Sequence, residues 1–90
     1  MTKDFANNQI EVGDVIFFKS GGRYPVESIG VVESFTKSGN PRCYILKWSR
    51  NYGSYSRSAK EDKPVAIMST FVKIVVSDEG IKHAVEELMT

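Results

Sequence analysis

Short runs of β-branched and aromatic residues, separated by turn-forming residues, dominate the first half of the chain. The turn signal Gly13-Asp14 precedes an apolar run at residues 15–18, which is too short for a helix and predicts a first strand. A second run covers residues 28–35 and contains Gly30. A glycine inside a strand indicates a bulge, a sharp bend or a close approach of two backbones.

Turn formers at residues 36–41 predict a hairpin between the second strand and a third one at residues 43–48. Alternation along the third strand predicts two faces, one with Tyr44, Leu46 and Trp48 and the other with Cys43, Ile45 and Lys47. Residues 65–68 and 71–76 predict one bent strand or two short ones, with a break at Ser69-Thr70.

The last part of the sequence has the periodicity of an amphipathic helix. Its apolar positions fall at i, i+3, i+4 and i+7, namely Ile81, Ala84, Val85 and Leu88. Ser77 is predicted to cap this helix, and the acids Asp78 and Glu79 suit its positive N-terminal end. A helix over residues 78–89 is therefore expected, with its stripe covering apolar surface.

Ninety residues, of which 41% are hydrophobic and 26% charged, are typical of one globular domain close to the lower size limit for an unlinked core. The short strands and closing helix predict a mainly β fold in a single domain spanning residues 1–90. We expect a small barrel or a strongly curled antiparallel sheet of four to six strands. Residues 1–9 are expected to be flexible, and residues 49–64 predict a long exposed loop.

The cysteine content and the apolar runs indicate a cellular compartment. Cys43 is the only cysteine, which excludes an internal disulfide framework and a multi-cysteine zinc site. We expect it to be a packing residue rather than a reactive thiol. No apolar run approaches the ~20 residues of a membrane span, and the N-terminus lacks a secretory signal. A cytoplasmic protein without membrane contact is the expectation.

The residue types needed for catalysis are sparse. His83 lies among charged residues of the predicted helix with no identifiable nucleophile, and is expected to be an exposed helix histidine. Glu27 and Glu33 could in principle act as a catalytic pair of carboxylates, but glutamates on the surface of a strand rarely do so. The segment Ser20-Gly21-Gly22-Arg23 lacks the spacing and the lysine of a phosphate-binding loop. No catalytic site, metal or cofactor is expected.

Charge is segregated along the chain although the formal net charge is only +1. Residues 34–60 contain no acid and six basic residues, whereas the stretch from Ser77 onward is mainly acidic. Tyrosines and a tryptophan are interleaved with the basic residues. The predicted nucleic-acid-binding residues are Lys19, Arg23, Arg42, Lys47, Trp48, Arg50, Tyr52, Tyr55, Arg57 and Lys60. Two alternatives stay open: chance segregation of charge, and a core position for Trp48.

The first two strands resemble parts of known families. Gly13-Asp14-Val15-Ile16-Phe17-Phe18 with Ile29-Gly30-Val31-Val32-Glu33-Ser34 resembles the back half of CHAP-type peptidoglycan amidases. Those enzymes need a cysteine before this stretch and a histidine at its second strand. Here the second strand begins Ser28-Ile29-Gly30 and Cys43 follows it, so amidase activity is not expected.

The same strands resemble PUA-like domains of the EVE type more closely, over roughly a quarter of the chain. The matching residues are Gly13, Asp14, Ile16, Phe17, Phe18 and Ser20, followed by Ile29, Gly30, Val31, Val32 and Glu33. KOW- and Tudor-like barrels are similar too, because they place a hydrophobic-Gly-Asp strand about as far before a glycine as Gly13 lies before Gly30. Both resemblances imply a small β-barrel associated with nucleic acid or with modified peptides.

Two functional hypotheses follow from the sequence. The first is a non-catalytic module that binds RNA or DNA through its basic, aromatic-rich surface. The alternative is a small adaptor or inhibitor of the phage or mobile-element type, which engages an acidic host protein through the same loop, since Tyr, Trp and Arg are favoured interface anchors. Binding to phosphates weakens steeply with salt, and an aromatic-centred protein interface weakens less.

Overall fold

The computed structural model of the protein describes residues 2–19, 27–48 and 64–89. Within these ranges the elements are β1 (Val15–Lys19), β2 (Glu27–Phe35), β3 (Pro41–Trp48), β4 (Val65–Ala66), β5 (Phe71–Lys73) and α1 (Glu79–Met89). The strands form one antiparallel sheet in the order β4-β3-β2-β1-β5. The predicted mainly β fold, with a curled antiparallel sheet and a C-terminal helix, is confirmed.

The sheet curls because the connection between its two edge strands is very short. In a flat sheet β4 and β5 would be four inter-strand spacings apart, which is about 19 Å. Ala66 and Phe71 are five residues apart, and an extended chain covers at most about 18 Å over that distance. The two edges therefore bend towards each other, although they do not pair and the sheet is not closed.

Apolar side chains pack on both faces of the sheet. The inner core consists of Ile10, Ile16, Phe18, Val32, Cys43 and Ile67. The helix-side core consists of Val31, Leu46 and Ile81, with partly buried residues of the sheet and of α1 around it. The predicted alternation in β3 is confirmed for four residues, because Cys43 and Ile45 pack in the inner core and Tyr44 and Leu46 in the helix-side core.

Gly30 lies at a close approach between β2 and β3. Its Cα partner is Ile45, whereas the neighbouring Ile29 pairs with Lys47, so β3 carries one extra residue at this point. A Cβ atom on Gly30 would lie 2.9 Å from the Cβ of Cys43 and 3.2 Å from the backbone oxygen of Tyr44. Both predicted roles of this glycine, a bulge and a close backbone approach, are therefore found together.

We predict that Gly30→Ala destabilises the fold by roughly 1 to 3 kcal/mol, because the added methyl group overpacks the inner core. Urea unfolding measures the change. The control is Gly80→Ala, the same substitution at an exposed position of α1, where alanine favours the helix and stability should rise or stay level. Equal stability of the Gly30 variant and the parent would contradict the close approach.

Asp78 caps α1. The N–H of Ile81 donates to Oδ1 of Asp78 over 3.1 Å, and the helix begins at Glu79. The prediction that Ser77 is the cap was wrong by one residue, because the helix begins at Glu79 and the residue directly before it is Asp78. The predicted stripe is confirmed: Ile81 is buried, and Ala84, Val85 and Leu88 are partly buried against the helix-side core.

Ile81 and Leu88 differ in burial, and this difference predicts different effects on stability. Ile81→Ala should lower the free energy of unfolding by about 2 to 5 kcal/mol, because Ile81 is a fully packed member of the helix-side core. Leu88→Ala should cost less, since Leu88 remains partly exposed. Chemical denaturation of both variants, with the exposed Glu86→Ala as control, gives the comparison. A larger loss for Leu88 than for Ile81 would refute this packing order.

The N-terminal segment is bound to two distant parts of the sheet. The N–H of Phe5 donates to the carbonyl of Phe71 over 2.9 Å, and the hydroxyl of Thr2 donates to the carbonyl of Gly39. Asp4 is buried, and its carboxylate accepts from the N–H groups of Asn8 and Lys73, each over 2.7 Å. Residues 2–10 thus make hydrogen bonds to β5 and to the turn between β2 and β3, and the flexibility expected for residues 1–9 stays a prediction.

The environment of Asp4 affects its ionisation. Burial opposes the charged form, but N–H donors from Lys73 and Asn8 outweigh it, so the pKa of Asp4 is lowered from its ordinary value. Because the pKa in the folded state lies below that in the unfolded state, the carboxylate stabilises the fold above the unfolded-state pKa. This contribution is lost as the pH falls through the folded-state pKa.

We predict that Asp4→Asn destabilises the protein at neutral pH and that the difference from the parent shrinks under acid conditions. The measurement is the midpoint of urea unfolding over a pH series that extends below the ordinary pKa of an aspartate, about 3.9. Glu11→Gln, which removes an exposed acid from the same segment, is the control for loss of charge alone. A constant difference at all pH values would show that the carboxylate does not act through its charge.

Candidate nucleic-acid interface

The strand register brings the end of β1, the start of β2 and the end of β3 to one end of the sheet. Lys19 is paired with Glu27, and Ser28 is paired with both Phe18 and Trp48. We call this part of the molecule the Lys19 end. Since adjacent strands lie about 4.8 Å apart, the backbones of β1 and β3 are about 10 Å apart here.

Most of the predicted binding residues lie in or beside the segments that adjoin this end. Residues 20–26 connect Lys19 with Glu27, and residues 49–63 follow directly after Trp48. The backbones of Lys47 and Trp48 lie at the Lys19 end by their pairing with β2. The remaining predicted residues in these segments lie outside the described part of the chain: Arg23, Arg50, Tyr52, Tyr55, Arg57 and Lys60.

Arg42 is separated from this group. It is exposed near the start of β3, where it pairs with Ser34 and Ala66. Six residues of extended strand separate Arg42 from Trp48, which corresponds to about 20 Å. The sequence groups Arg42 with Lys47 and Arg50, because all three belong to the acid-free stretch of residues 34–60. The structure does not bring it to the Lys19 end.

Lys19 is a cation without a carboxylate partner among the residues that the structure describes. By contrast, Lys73 lies 3.5 Å from Asp14, and Lys82 lies 3.7 Å from Glu79. The acid nearest to Lys19 in the register is Glu27, which is also exposed but not within ion-pair distance. Lys19 is exposed, and Glu27, its partner in the register, is the neighbouring charge that would oppose the binding of an anion here.

Sequence reasoning missed a shallow apolar cavity next to Lys19. It has a volume of about 250 Å³ and is lined by Phe17, Phe18, Lys19, Thr70, Phe71 and Val72. The side chains come from two strands that are adjacent in space but far apart in sequence, with Phe17 paired to Val72 and Phe18 to Phe71. One signal was present: two successive phenylalanines in a strand must point to opposite faces, so one of them lies outside the inner core.

The residues considered for catalysis do not assemble. His83 is exposed and its Nε2 lies 3.0 Å from Oε1 of Glu87 on the next turn of α1. Glu27 and Glu33 are six residues apart on one strand, or about 20 Å, and Glu33 accepts a hydrogen bond from the Ser34 hydroxyl. In residues 2–19, 27–48 and 64–89, no three His, Cys, Asp or Glu side chains cluster as metal ligands would.

Cys43 has the properties of a packing residue. Its side chain is fully buried in the inner core, and this burial raises the pKa of the Cys43 thiol to about 12. A thiol with such a pKa stays protonated at neutral pH and is a poor nucleophile. The expectation for this residue is confirmed.

Comparison with known proteins gives no match: no family model fits the sequence, and no curated protein or solved structure is significantly similar to the chain. In the described part of the chain, no helix is long and apolar enough to cross a membrane. The resemblances to PUA-like and to KOW- or Tudor-like barrels stay predictions. Function must be argued from the geometry of the Lys19 end.

Proposed function

We propose that this protein is a non-catalytic nucleic-acid-binding module that binds RNA or DNA at the Lys19 end of its sheet. The observation that carries the proposal is the register of β1, β2 and β3. It brings the end of β1, the start of β2 and the end of β3 to one end of the sheet, so residues 20–26 and residues 49–63 both adjoin the Lys19 end. These two segments contain most of the basic and aromatic residues expected to contact nucleic acid. Chain segments that leave one end of a rigid sheet are a common location for binding residues.

The residue types suit a single-stranded or irregular polynucleotide. Lysine and arginine neutralise phosphates and release bound counterions, and aromatic rings stack on bases. The acid-free stretch of residues 34–60 supplies both kinds of side chain, so the local charge is positive although the net charge is only +1. The resemblance to PUA-like and KOW-like domains, which are small β-barrels, supports the same function.

The alternative is a small adaptor or inhibitor of the phage or mobile-element type that binds an acidic host protein. One observation favours it: several large apolar side chains are exposed, including Phe5, Met68 and Val75. Exposed apolar residues that occur singly are common on soluble proteins, so this observation weighs less than the register. Under either function a cytoplasmic location fits, because the thiol of Cys43 is free and buried and the cytoplasm keeps thiols reduced.

The proposal is tested by titrating the fluorescence of Trp48, the only tryptophan, with single-stranded and duplex DNA and RNA at low and high salt. We predict salt-sensitive binding that Lys19→Ala weakens, with the slope of log affinity against log salt reduced by about one. Arg50→Ala and Arg57→Ala should also weaken binding. Glu27→Gln should strengthen it, because an opposing charge is removed beside Lys19.

Arg42→Ala is the matched control, because it removes an exposed cation about 20 Å away on the same sheet. Its effect on affinity should be smaller than that of Lys19→Ala. Urea unfolding of each variant separates lost binding from lost stability. Equal losses for the two variants would contradict the assignment to the Lys19 end. Absence of binding to all four polymers at low salt would overturn the proposed function and favour the protein adaptor.

A further inference from the structure

The cavity beside Lys19 is an aromatic surface at the β1 and β5 side of the sheet. Its lining is almost entirely apolar, and Phe17 supplies the ring on this face, because Phe18 and Phe71 pack in the inner core on the opposite face. Phe18 is 5% exposed and belongs to the inner core, whereas Phe17 is 36% exposed. The ring of Phe17 is therefore the accessible aromatic surface of the cavity.

Phe17 is exposed because α1 does not cover it. It shares a face with Val15, and its cross-strand neighbour Ile29 packs in the helix-side core with Val15. Phe17 is not part of that core. A phenylalanine left accessible between a covered sheet face and a cation is an unfavourable arrangement for the isolated protein and a favourable one for a flat, apolar ligand.

Size and charge narrow the class of ligand. At about 250 Å³ the cavity is smaller than the roughly 300 to 1,000 Å³ of pockets that hold drug-sized molecules, so it fits a single ring system. Lys19, which has no carboxylate partner in the described ranges, lies in the lining. A flat ring joined to a negative charge matches both features, and a nucleotide of a single strand has this composition.

We propose that the cavity receives one unstacked base of a single-stranded nucleic acid, with the base against the Phe17 ring and the adjoining phosphate near Lys19. This inference rests on the proposed function and adds to it, because bases inside a duplex are already stacked and cannot enter the cavity.

The test compares a short oligothymidylate with an abasic oligomer of the same length, which keeps the phosphates and lacks the bases. The parent protein should bind the oligothymidylate more tightly, by roughly 5- to 150-fold for one stacked base. Phe17→Ala should reduce this advantage, and stacking on the other aromatic residues of the proposed interface accounts for what remains. Phe17→Leu keeps an apolar side chain of similar size but removes the aromatic face, and it gives the same answer if the alanine variant is unstable.

Phe5→Ala is the matched control, since Phe5 is 80% exposed and does not line the cavity; it should leave the advantage of the oligothymidylate intact. Equal affinity of the parent for both oligomers would overturn the base site while leaving phosphate binding, and hence the proposed function, in place. An advantage that is unchanged in Phe17→Leu would also overturn it, because the Phe17 ring would then contribute nothing to base binding. If neither oligomer binds at low salt, both proposals fall, and an aromatic side chain of a protein partner becomes the occupant to test.

Discussion

The five-residue step from β4 to β5 is the constraint on which the rest of the structure depends. A flat sheet cannot accommodate it, so the sheet bends, and Ile67 is carried into the inner core, where its N–H donates to the carbonyl of Pro41 over 2.8 Å. Within the sheet, β2 and β3 come into close contact at Gly30, where a Cβ atom would lie 2.9 Å from that of Cys43. A chain of ninety residues can form two small cores in this way, one on each face of a single sheet.

The candidate interface is a consequence of antiparallel pairing. Successive strands reverse direction, so β1 and β3 run the same way and end together, whereas the hairpin between β2 and β3 lies at the opposite end. Along β3 this arrangement places the backbone of Arg42 about 20 Å from that of Trp48. Lys19, at the end where β1 and β3 finish, lines the apolar cavity.

The sequence predicted those features that depend on neighbouring residues. Strand positions, the apolar stripe of α1 and the alternation of residues 43–46 follow from local periodicity, and the structure has them. Features that depend on distant partners could not be predicted. Asp4 is ordered by the backbone of Lys73, 69 positions away, and the distance of Arg42 from Lys19 requires the strand register. The cavity needs β5 beside β1, a pairing without a sequence signal.

The turn at residues 4–8 also determines how the molecule behaves towards copies of itself. An edge strand exposes N–H and C=O groups that can pair with a strand of another chain, and small β proteins must block such growth. Here the carboxylate of Asp4 accepts a hydrogen bond from the N–H of Lys73 that points away from β1. The carbonyl of Phe71 that points away from β1 accepts one from the N–H of Phe5. A side-chain acceptor cannot extend a ladder as a backbone would, so β5 ends the sheet. The N-terminal segment thereby serves as protection against aggregation at that edge.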